Sequence, residues 1–154
     1  MNIYNPIRAV IDTNITLEGT TKTGSAAGLI VEAWLNGLFT ACVSTALAYE
    51  YEDVLARKLN ASRWATVKPL LGAMLILSEP IDLYYSWRPM SPDPGDDLVI
   101  DCALNAGAII VTHNTKDFQT AKQILGARVM SAVEFINLLA TDEDSDIINA
   151  EENL

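Results

Sequence analysis

Short apolar runs alternate with longer amphipathic stretches along the chain, which is the pattern of strands separated by helices. The predicted strands cover residues 7–11, 38–43, 81–85, 108–111 and 128–130. The predicted helices cover residues 26–37, 45–59, 62–74, 96–106, 116–125 and 131–139, and residues 18–25 predict a loop. This alternation predicts an α/β fold, a three-layer α/β/α sandwich around a mostly parallel central sheet.

Several helix ends carry their own signals. Thr45 is placed to cap the second predicted helix, and Ser131 with Glu134 forms a capping-box pattern at the last one. Ser62 opens the third helix, which Pro69 either bends or splits.

Length and composition predict one domain. The chain has 154 residues, of which 50% are hydrophobic, enough for a single core. We expect a domain over residues 1–140 followed by a flexible acidic tail over residues 141–154. Because no apolar run reaches the roughly 18 residues that span a bilayer and residues 1–12 lack signal-peptide features, we expect a cytoplasmic protein with no membrane contact. Cys42 and Cys102 lie in apolar runs and are expected to be buried thiols.

The charge balance weighs against one class of partner. The formal net charge is −10, whereas proteins that hold nucleic acid by their overall field usually carry a basic surface. Six of the 20 acids lie after residue 140, leaving 14 acids against 10 bases in the rest of the chain. The acid surplus is therefore partly a property of the tail.

Carboxylates follow two predicted strands. Asp12 comes directly after residues 7–11, and Asp117 follows residues 108–111 at a short distance. Carboxyl ends of parallel strands meet at one edge of a sheet, where α/β proteins bind ligands. The acids placed to gather there are Asp12, Glu50, Asp96, Asp97, Asp101 and Asp117. Clustered carboxylates favour a hard divalent cation, so the pattern predicts Mg²⁺ or Mn²⁺ and phosphodiester hydrolysis.

Each acid also has a structural explanation. Asp93 and Asp96 lie on either side of a Pro-Gly pair at the start of a predicted helix, where an aspartate is often an N-cap, and Asp117 is placed in a similar way. Asp97 and Asp101 fit a solvated helix face.

Two acids differ in how easily they are explained without a ligand. Glu50 on an amphipathic helix is commonly a surface residue. Asp12 is harder to explain in this way, because a carboxylate after a buried strand has to be hydrogen-bonded, paired or ligating.

The remaining candidates are aromatic or basic. Tyr84, Tyr85, Trp87 and Arg88 are able to stack unpaired bases, although core and turn packing is the commoner use of such residues. His113, the single histidine, is interpreted as a loop residue without a catalytic duty.

The motifs together resemble the PIN domain family of ribonucleases, which includes many bacterial toxin–antitoxin toxins. VIDTN over residues 10–14 matches the opening motif of the family, and STALAYEYEDVL over residues 44–55 matches its glutamate helix. DPGDDLVIDCALNAGA over residues 93–108 matches the central acidic segment, and IIVTHNTKDF over residues 109–118 matches the last strand and loop. The resemblance covers nearly the whole chain.

By position, the resemblance implies that Asp12, Glu50 and Asp96 bind the metal, with Asp97 and Asp101 as nearby candidates. It implies that Thr13, Asn14 and Thr112 orient carboxylates or waters.

This chain departs from the resembled pattern at a fourth acid, where Asn114 stands in place of an aspartate. Either Asp117 substitutes for that acid, as the loop sequence suggests, or a second metal site is weak.

The resemblance implies a Mg²⁺- or Mn²⁺-dependent endoribonuclease acting on single-stranded RNA, a homodimer, and the toxin of a pair with an antitoxin partner. The alternative is a catalytically weakened PIN-like module that binds RNA or a protein partner. A phosphatase with an aspartyl nucleophile is disfavoured, because that chemistry commonly uses a second aspartate where this chain has Asn14.

Overall fold

Five short parallel strands, all within the described part of the chain, form the centre of the molecule. The computed structural model describes residues 6–86, residue 91 and residues 93–152. The strands are β1 (Arg8–Ile11), β2 (Thr40–Val43), β3 (Glu79–Pro80), β4 (Ile109–Val111) and β5 (Val129–Met130). They lie in the order β3-β2-β1-β4-β5, and each neighbouring pair is parallel. β1 and β4 are almost wholly buried and apolar, as expected of central strands covered on both faces.

The described residues also form seven α-helices around this sheet. They are α1 (Thr13–Thr21), α2 (Ala26–Leu35), α3 (Thr45–Lys58), α4 (Ala61–Ile76), α5 (Pro94–Ala106), α6 (Gln119–Leu125) and α7 (Ala132–Glu152). The predicted three-layer α/β/α architecture is confirmed. Apart from the differences described below, predicted elements begin and end within two residues of those observed.

The core is formed mainly by the inward faces of these helices packed on the strands. Trp34 of α2 is 2% exposed, and its indole N–H donates to the carbonyl oxygen of Met74 at 2.9 Å. Phe39 packs edge-on against Trp34 and Phe135, with ring centroids 6.2 and 5.0 Å apart. These contacts join α2, α4 and α7 beside the sheet. Cys42 and Cys102 are buried free thiols, as predicted.

Residues 18–21 belong to a helix and not to the predicted loop. Thr20 and Thr21 hydroxyls donate to carbonyls one turn earlier, at 2.9 Å to Thr16 and Leu17. A Cβ on Gly19 would lie 2.4 Å from the carbonyl oxygen of Ala27, so this glycine allows α1 and α2 to approach closely. The threonines that predicted a loop thus bond within α1, and the glycine allows the contact between α1 and α2.

The predicted strand over residues 81–85 is wrong. β3 is shorter and earlier, and residues 81–86 have no regular secondary structure. The side-chain amide of Asn105 accepts hydrogen bonds from the backbone N–H groups of Tyr84 and Tyr85, at 2.9 and 3.2 Å. Asn105 also donates to the carbonyl of Tyr85 at 2.9 Å. Ile81 N still donates to the carbonyl oxygen of Val43 at the end of β2, at 3.0 Å, but Tyr84 and Tyr85 are held by α5.

The C-terminal third differs from the prediction in two places. The predicted helix over residues 116–125 is divided into a short 3₁₀ helix (Thr115–Phe118) and α6. The last helix does not end at residue 139, because α7 continues to Glu152 and the backbone of residues 141–152 is helical. The capping box is confirmed, with Glu134 N donating to Ser131 Oγ at 3.1 Å. The division into a domain of residues 1–140 and a flexible tail stays a prediction.

Two predicted caps lie one or two residues away from the true ones. Ser44, and not Thr45, caps α3 by accepting from Leu47 N at 3.1 Å. Asn60, and not Ser62, caps α4, which continues through Pro69 as one helix.

Within the described part of the chain, no helix is both long enough and apolar enough to cross a bilayer.

Candidate active site

The carboxyl ends of β1 and β4 meet through a hydrogen bond. Thr112, directly after β4, donates from its hydroxyl to Oδ2 of Asp12, directly after β1, at 2.7 Å. Both side chains are buried, with exposed fractions of 0% and 7%. The two strand ends that the sequence singled out are therefore adjacent, and Thr112 fixes the orientation of the Asp12 carboxylate.

Two helices bring further acids to this point. A hollow of about 220 Å³, called here the acidic hollow, is lined by Asp12, Thr13, Asn14, Glu50, Val54, Arg57, Lys58, Asp93, Gly95 and Asp96. Glu50 comes from α3, and Asp96 comes from the first turn of α5. The structure thus brings together the three acids that the family resemblance implies as metal ligands, and it places Thr13 and Asn14 beside them.

Tyr51 explains why α3 lies where it does. This side chain is fully buried, and its hydroxyl donates to the carbonyl oxygen of Ile11, the residue before Asp12. The hydrogen bond joins α3 to the end of β1 and so positions Glu50 beside Asp12.

The start of α5 contributes residues that the sequence analysis did not assign to the site. Asp93 is the N-cap of α5, accepting from Gly95 N at 2.9 Å, and it also lines the acidic hollow. The Ser91 hydroxyl donates to Oδ2 of Asp96 at 3.0 Å. A Cβ on Gly95 would lie 3.1 Å from Oε1 of Glu50, so the lack of a side chain there leaves room for that carboxylate. The sequence signal for these residues is Gly95, which lies between Asp93 and the pair Asp96 and Asp97.

Asp97 and Asp101 do not line the acidic hollow. Their exposed fractions are 5% and 1%, so the alternative of a solvated helix face is wrong for both. Oδ1 of Asp97 accepts from the backbone N–H of Ser91 at 3.0 Å, and Oδ2 of Asp101 accepts from the hydroxyl of Ser86 at 3.3 Å. These contacts attach the segment before α5 to the helix, and a role as metal ligands stays a prediction.

Asn114 and Asp117 contact each other. The Asn114 side-chain amide donates to Oδ2 of Asp117 at 2.7 Å, and Asn114 N donates to the Thr112 hydroxyl at 3.1 Å. Asp117 does not line the acidic hollow, but its charge contributes to raising the pKa of Asp96. The pair therefore lies next to the acids as a single hydrogen-bonded unit, whose share in metal binding stays a prediction.

The two tyrosines for which packing was favoured over base stacking are on the surface. Tyr84 and Tyr85 are 79% and 68% exposed, so core packing does not explain them. Trp87 and Arg88, proposed for the same role, lie outside the described residues. Base stacking by this segment stays a prediction.

Burial and mutual repulsion shape the titration of the acidic hollow. Burial raises the pKa of Asp12, while the hydrogen bonds from Thr112 and from the Thr13 backbone oppose that shift. Burial, together with the charges of Asp12 and Asp93, raises the pKa of Asp96 to about 6 against the opposing hydrogen bond from Ser91. Since both carboxylates are held where their charged forms are disfavoured, a cation in the hollow would stabilise them.

The donor set fits a hard divalent cation. Among the described residues, no group of three or more His, Cys, Asp or Glu side chains forms a ready metal cage. Mg²⁺ does not need one, because it is usually held by one or two carboxylates together with waters and substrate phosphates. Asp12, Glu50 and Asp96, with Asp93 beside them, are the side chains that would hold such an ion.

Comparison with known structures supports the architecture. The chain is similar to a chain of VapBC2 from Rickettsia felis, whose structure was solved bound to a DNA fragment from the VapBC2 promoter. The TM-score is 0.60 and the identity 17%, and the match covers 81% of this chain and 98% of that one. It is also similar to FitAB bound to an IR36 DNA fragment, with a TM-score of 0.53 at 16% identity over 80% and 94% of the two chains. At these identities the likeness shows a shared fold.

Comparison of sequences gives the family. None of the curated proteins matches this chain significantly. The family described as PIN domain matches residues 8–116, which run from β1 into the 3₁₀ helix after β4 and contain Asp12, Glu50 and Asp96. Because this match covers more than half of the chain and includes the strand ends that form the acidic hollow, the chain belongs to the PIN domain family.

Proposed function

We propose that this protein is a Mg²⁺- or Mn²⁺-dependent endoribonuclease that hydrolyses phosphodiester bonds of single-stranded RNA. The observation that carries the proposal is the convergence of Asp12, Glu50 and Asp96 on one hollow from three separate elements. Membership of a family whose members are generally nucleases, typically with divalent ions, gives independent support.

The side chains have distinct roles in this proposal. Thr112 holds the Asp12 carboxylate in one orientation, and Ser91 does the same for Asp96. Glu50 is partly exposed at the hollow and completes the ligand set from the opposite helix. A bound divalent ion would supply an activated water and neutralise charge on the scissile phosphate. Thr13 and Asn14, at the start of α1, are placed to orient water beside Asp12.

Cleavage of a labelled single-stranded RNA tests the proposal. We expect Glu50→Gln to lose metal-dependent cleavage, because the substitution removes a ligand charge. Glu52→Gln is the matched control: it makes the same change on the same helix at an exposed position outside the hollow. Equal cleavage by the two variants, with contaminating nuclease excluded, would refute the assignment.

A second function is favoured by Asn114 at the fourth acidic position and by the lack of a ready cage among the described acids. In that case the protein is a weakened module that binds RNA or a protein. Thermal unfolding with added Mn²⁺ separates the two functions. A catalytic site should be stabilised by Mn²⁺, and Glu50→Gln or Asp96→Asn should abolish the effect.

The likeness of the fold to VapBC2 and FitAB supports a place in a toxin–antitoxin pair. We therefore propose a cytoplasmic homodimer that acts as the toxin and is bound by an antitoxin. Light scattering on the purified chain tests the dimer. Growth of cells that express the wild type or Asp12→Asn tests toxicity, which should require the intact acid.

A further inference from the structure

A second cavity adjoins the acidic hollow and carries the opposite charge. This cavity, of about 450 Å³ and called here the basic groove, is lined by Asn14, Leu17, Glu18, Thr21, Lys22, Lys58, Leu59 and His113. Asn14 and Lys58 line both cavities, so the groove begins where the hollow ends. An RNA strand that runs from the acidic hollow into the basic groove would therefore pass Lys58 and Lys22.

The lysines of the groove are available to a ligand. Neither Lys22 nor Lys58 makes an ion pair or a side-chain hydrogen bond with any residue in the described ranges. Glu18, the acid among the lining residues, contacts Nε2 of His113 instead. The positive charges of the two lysines are thus not cancelled by a direct partner.

Further basic residues extend the same surface. Arg63 at the start of α4 donates to the carbonyl oxygen of Thr21 at 3.3 Å, which holds its guanidinium beside the groove. Arg57, next to Lys58, lines the hollow and makes an exposed contact with Asp53 at 3.4 Å. Four of the ten basic residues of an otherwise acidic chain, Lys22, Arg57, Lys58 and Arg63, are therefore grouped at this one place.

We propose that the basic groove binds the RNA backbone next to the scissile bond, with Lys22 and Lys58 contacting phosphates that flank the one in the acidic hollow. This inference rests on the proposed function and assigns the direction in which the strand leaves the site. A positively charged groove that follows the backbone is a general device for binding single strands without reading sequence. The local grouping of bases explains how a chain with a net charge of −10 holds a polyanion.

The test measures RNA affinity and its salt dependence in an Asp12→Asn background, where cleavage is suppressed. The probe is a fluorescently labelled single-stranded RNA, and the variant adds Lys22→Gln and Lys58→Gln. Neutralising one phosphate contact on a single strand reduces the slope of log affinity against log salt by about 0.7. We expect a reduction of about 1.4 for the pair and about half of that for Lys22→Gln alone.

Lys122→Gln with Arg128→Gln is the matched control, because it removes the same charge from exposed positions that line neither cavity. The control should keep the wild-type slope. Lys58 lies in the last turn of α3, where a cation favours the helix, whereas Lys22 follows the end of α1. Lys22→Gln therefore changes the groove without weakening α3, and thermal unfolding verifies the fold of both variants.

The outcomes separate this inference from the proposed function. If cleavage requires the metal and the acids but the groove variants bind RNA with the slope of the control, the groove inference is overturned. If the lysines govern RNA affinity but the wild type does not cleave, the nuclease proposal fails and the groove remains an RNA-binding site.

Discussion

Replacing Asp96 by asparagine should stabilise the protein while removing one of the proposed metal ligands. Burial and the neighbouring charges raise the pKa of Asp96 from 3.8 to about 6, so the native state disfavours the ionised carboxylate. The shape of the side chain is kept in asparagine, and the hydroxyl of Ser91, now 3.0 Å from Oδ2, still has an acceptor. The substitution therefore removes an electrostatic cost and leaves the packing in place.

The magnitude follows from the shift in pKa. Each pKa unit corresponds to about 1.4 kcal/mol, so a rise from 3.8 to about 6 sets an upper limit of roughly 3 kcal/mol. The hollow is open to solvent and salt, which screen the repulsion, and we expect a gain of about 1 kcal/mol at pH 7. For a chain of this size, that gain raises Tm by about 2–4 °C.

The effect has a defined pH dependence. A carboxyl group whose pKa is raised on folding does not lower the free energy of unfolding at a pH where it is protonated in both states. The loss of stability develops as the pH rises from 3.8 through about 6. The stability difference between Asp96→Asn and the wild type should therefore grow over that window and be constant above it. Chemical unfolding with a chelator present, at pH values from 4 to 8, measures this difference.

Asp82→Asn is the control, because Asp82 is exposed in the segment after β3. It should leave the stability unchanged within about 0.5 kcal/mol. A destabilised Asp96→Asn protein would show that the native contacts favour the charged carboxylate. A difference independent of pH would show that folding leaves the pKa of Asp96 unchanged, and either result would refute the electrostatic argument.

Gly95→Ala should weaken Mn²⁺ binding in calorimetry with little change in Tm, because its methyl group would lie 3.1 Å from Oε1 of Glu50 and displace that carboxylate; unchanged affinity would contradict this view of the hollow. Gly72→Ala should raise the unfolding free energy by about 1 kcal/mol, because the residue is inside α4 and a Cβ meets nothing within 4 Å; a loss of stability in urea unfolding would be inconsistent with that space. Thr112→Val should cost about 1–3 kcal/mol and slow cleavage, because Oδ2 of Asp12 loses its donor, whereas Thr112→Ser should retain both properties.

The residues that the sequence revealed are those with a strong local signal. Asp12 follows a buried apolar run, and a carboxylate in such a place requires a partner, which the structure supplies in Thr112. The pattern of acids includes Glu50 and Asp96, but only the resemblance to a family makes them principal candidates, because on their own a helix-surface glutamate and a helix-start aspartate are common. The parallel sheet was predictable from the alternation of apolar and amphipathic runs.

The residues that the sequence did not reveal act across long separations. Tyr51 acts on Ile11 from 40 positions away, and its hydroxyl has no signature within α3. α1 was missed because its threonines favour loops, whereas contact with α2 through Gly19 decides its conformation. The strand predicted at residues 81–85 failed because Asn105 satisfies the backbone groups that a neighbouring strand would otherwise pair with. Tertiary contacts of this kind are not recorded in local propensity.

Anomalous diffraction from a crystal containing Mn²⁺ tests the central claim most directly. The account predicts a peak in the acidic hollow within bonding distance of carboxylate oxygens from Asp12 and Asp96, which disappears in crystals of Asp12→Asn. A fully bound ion elsewhere on the molecule, or an empty hollow at saturating Mn²⁺, would contradict it.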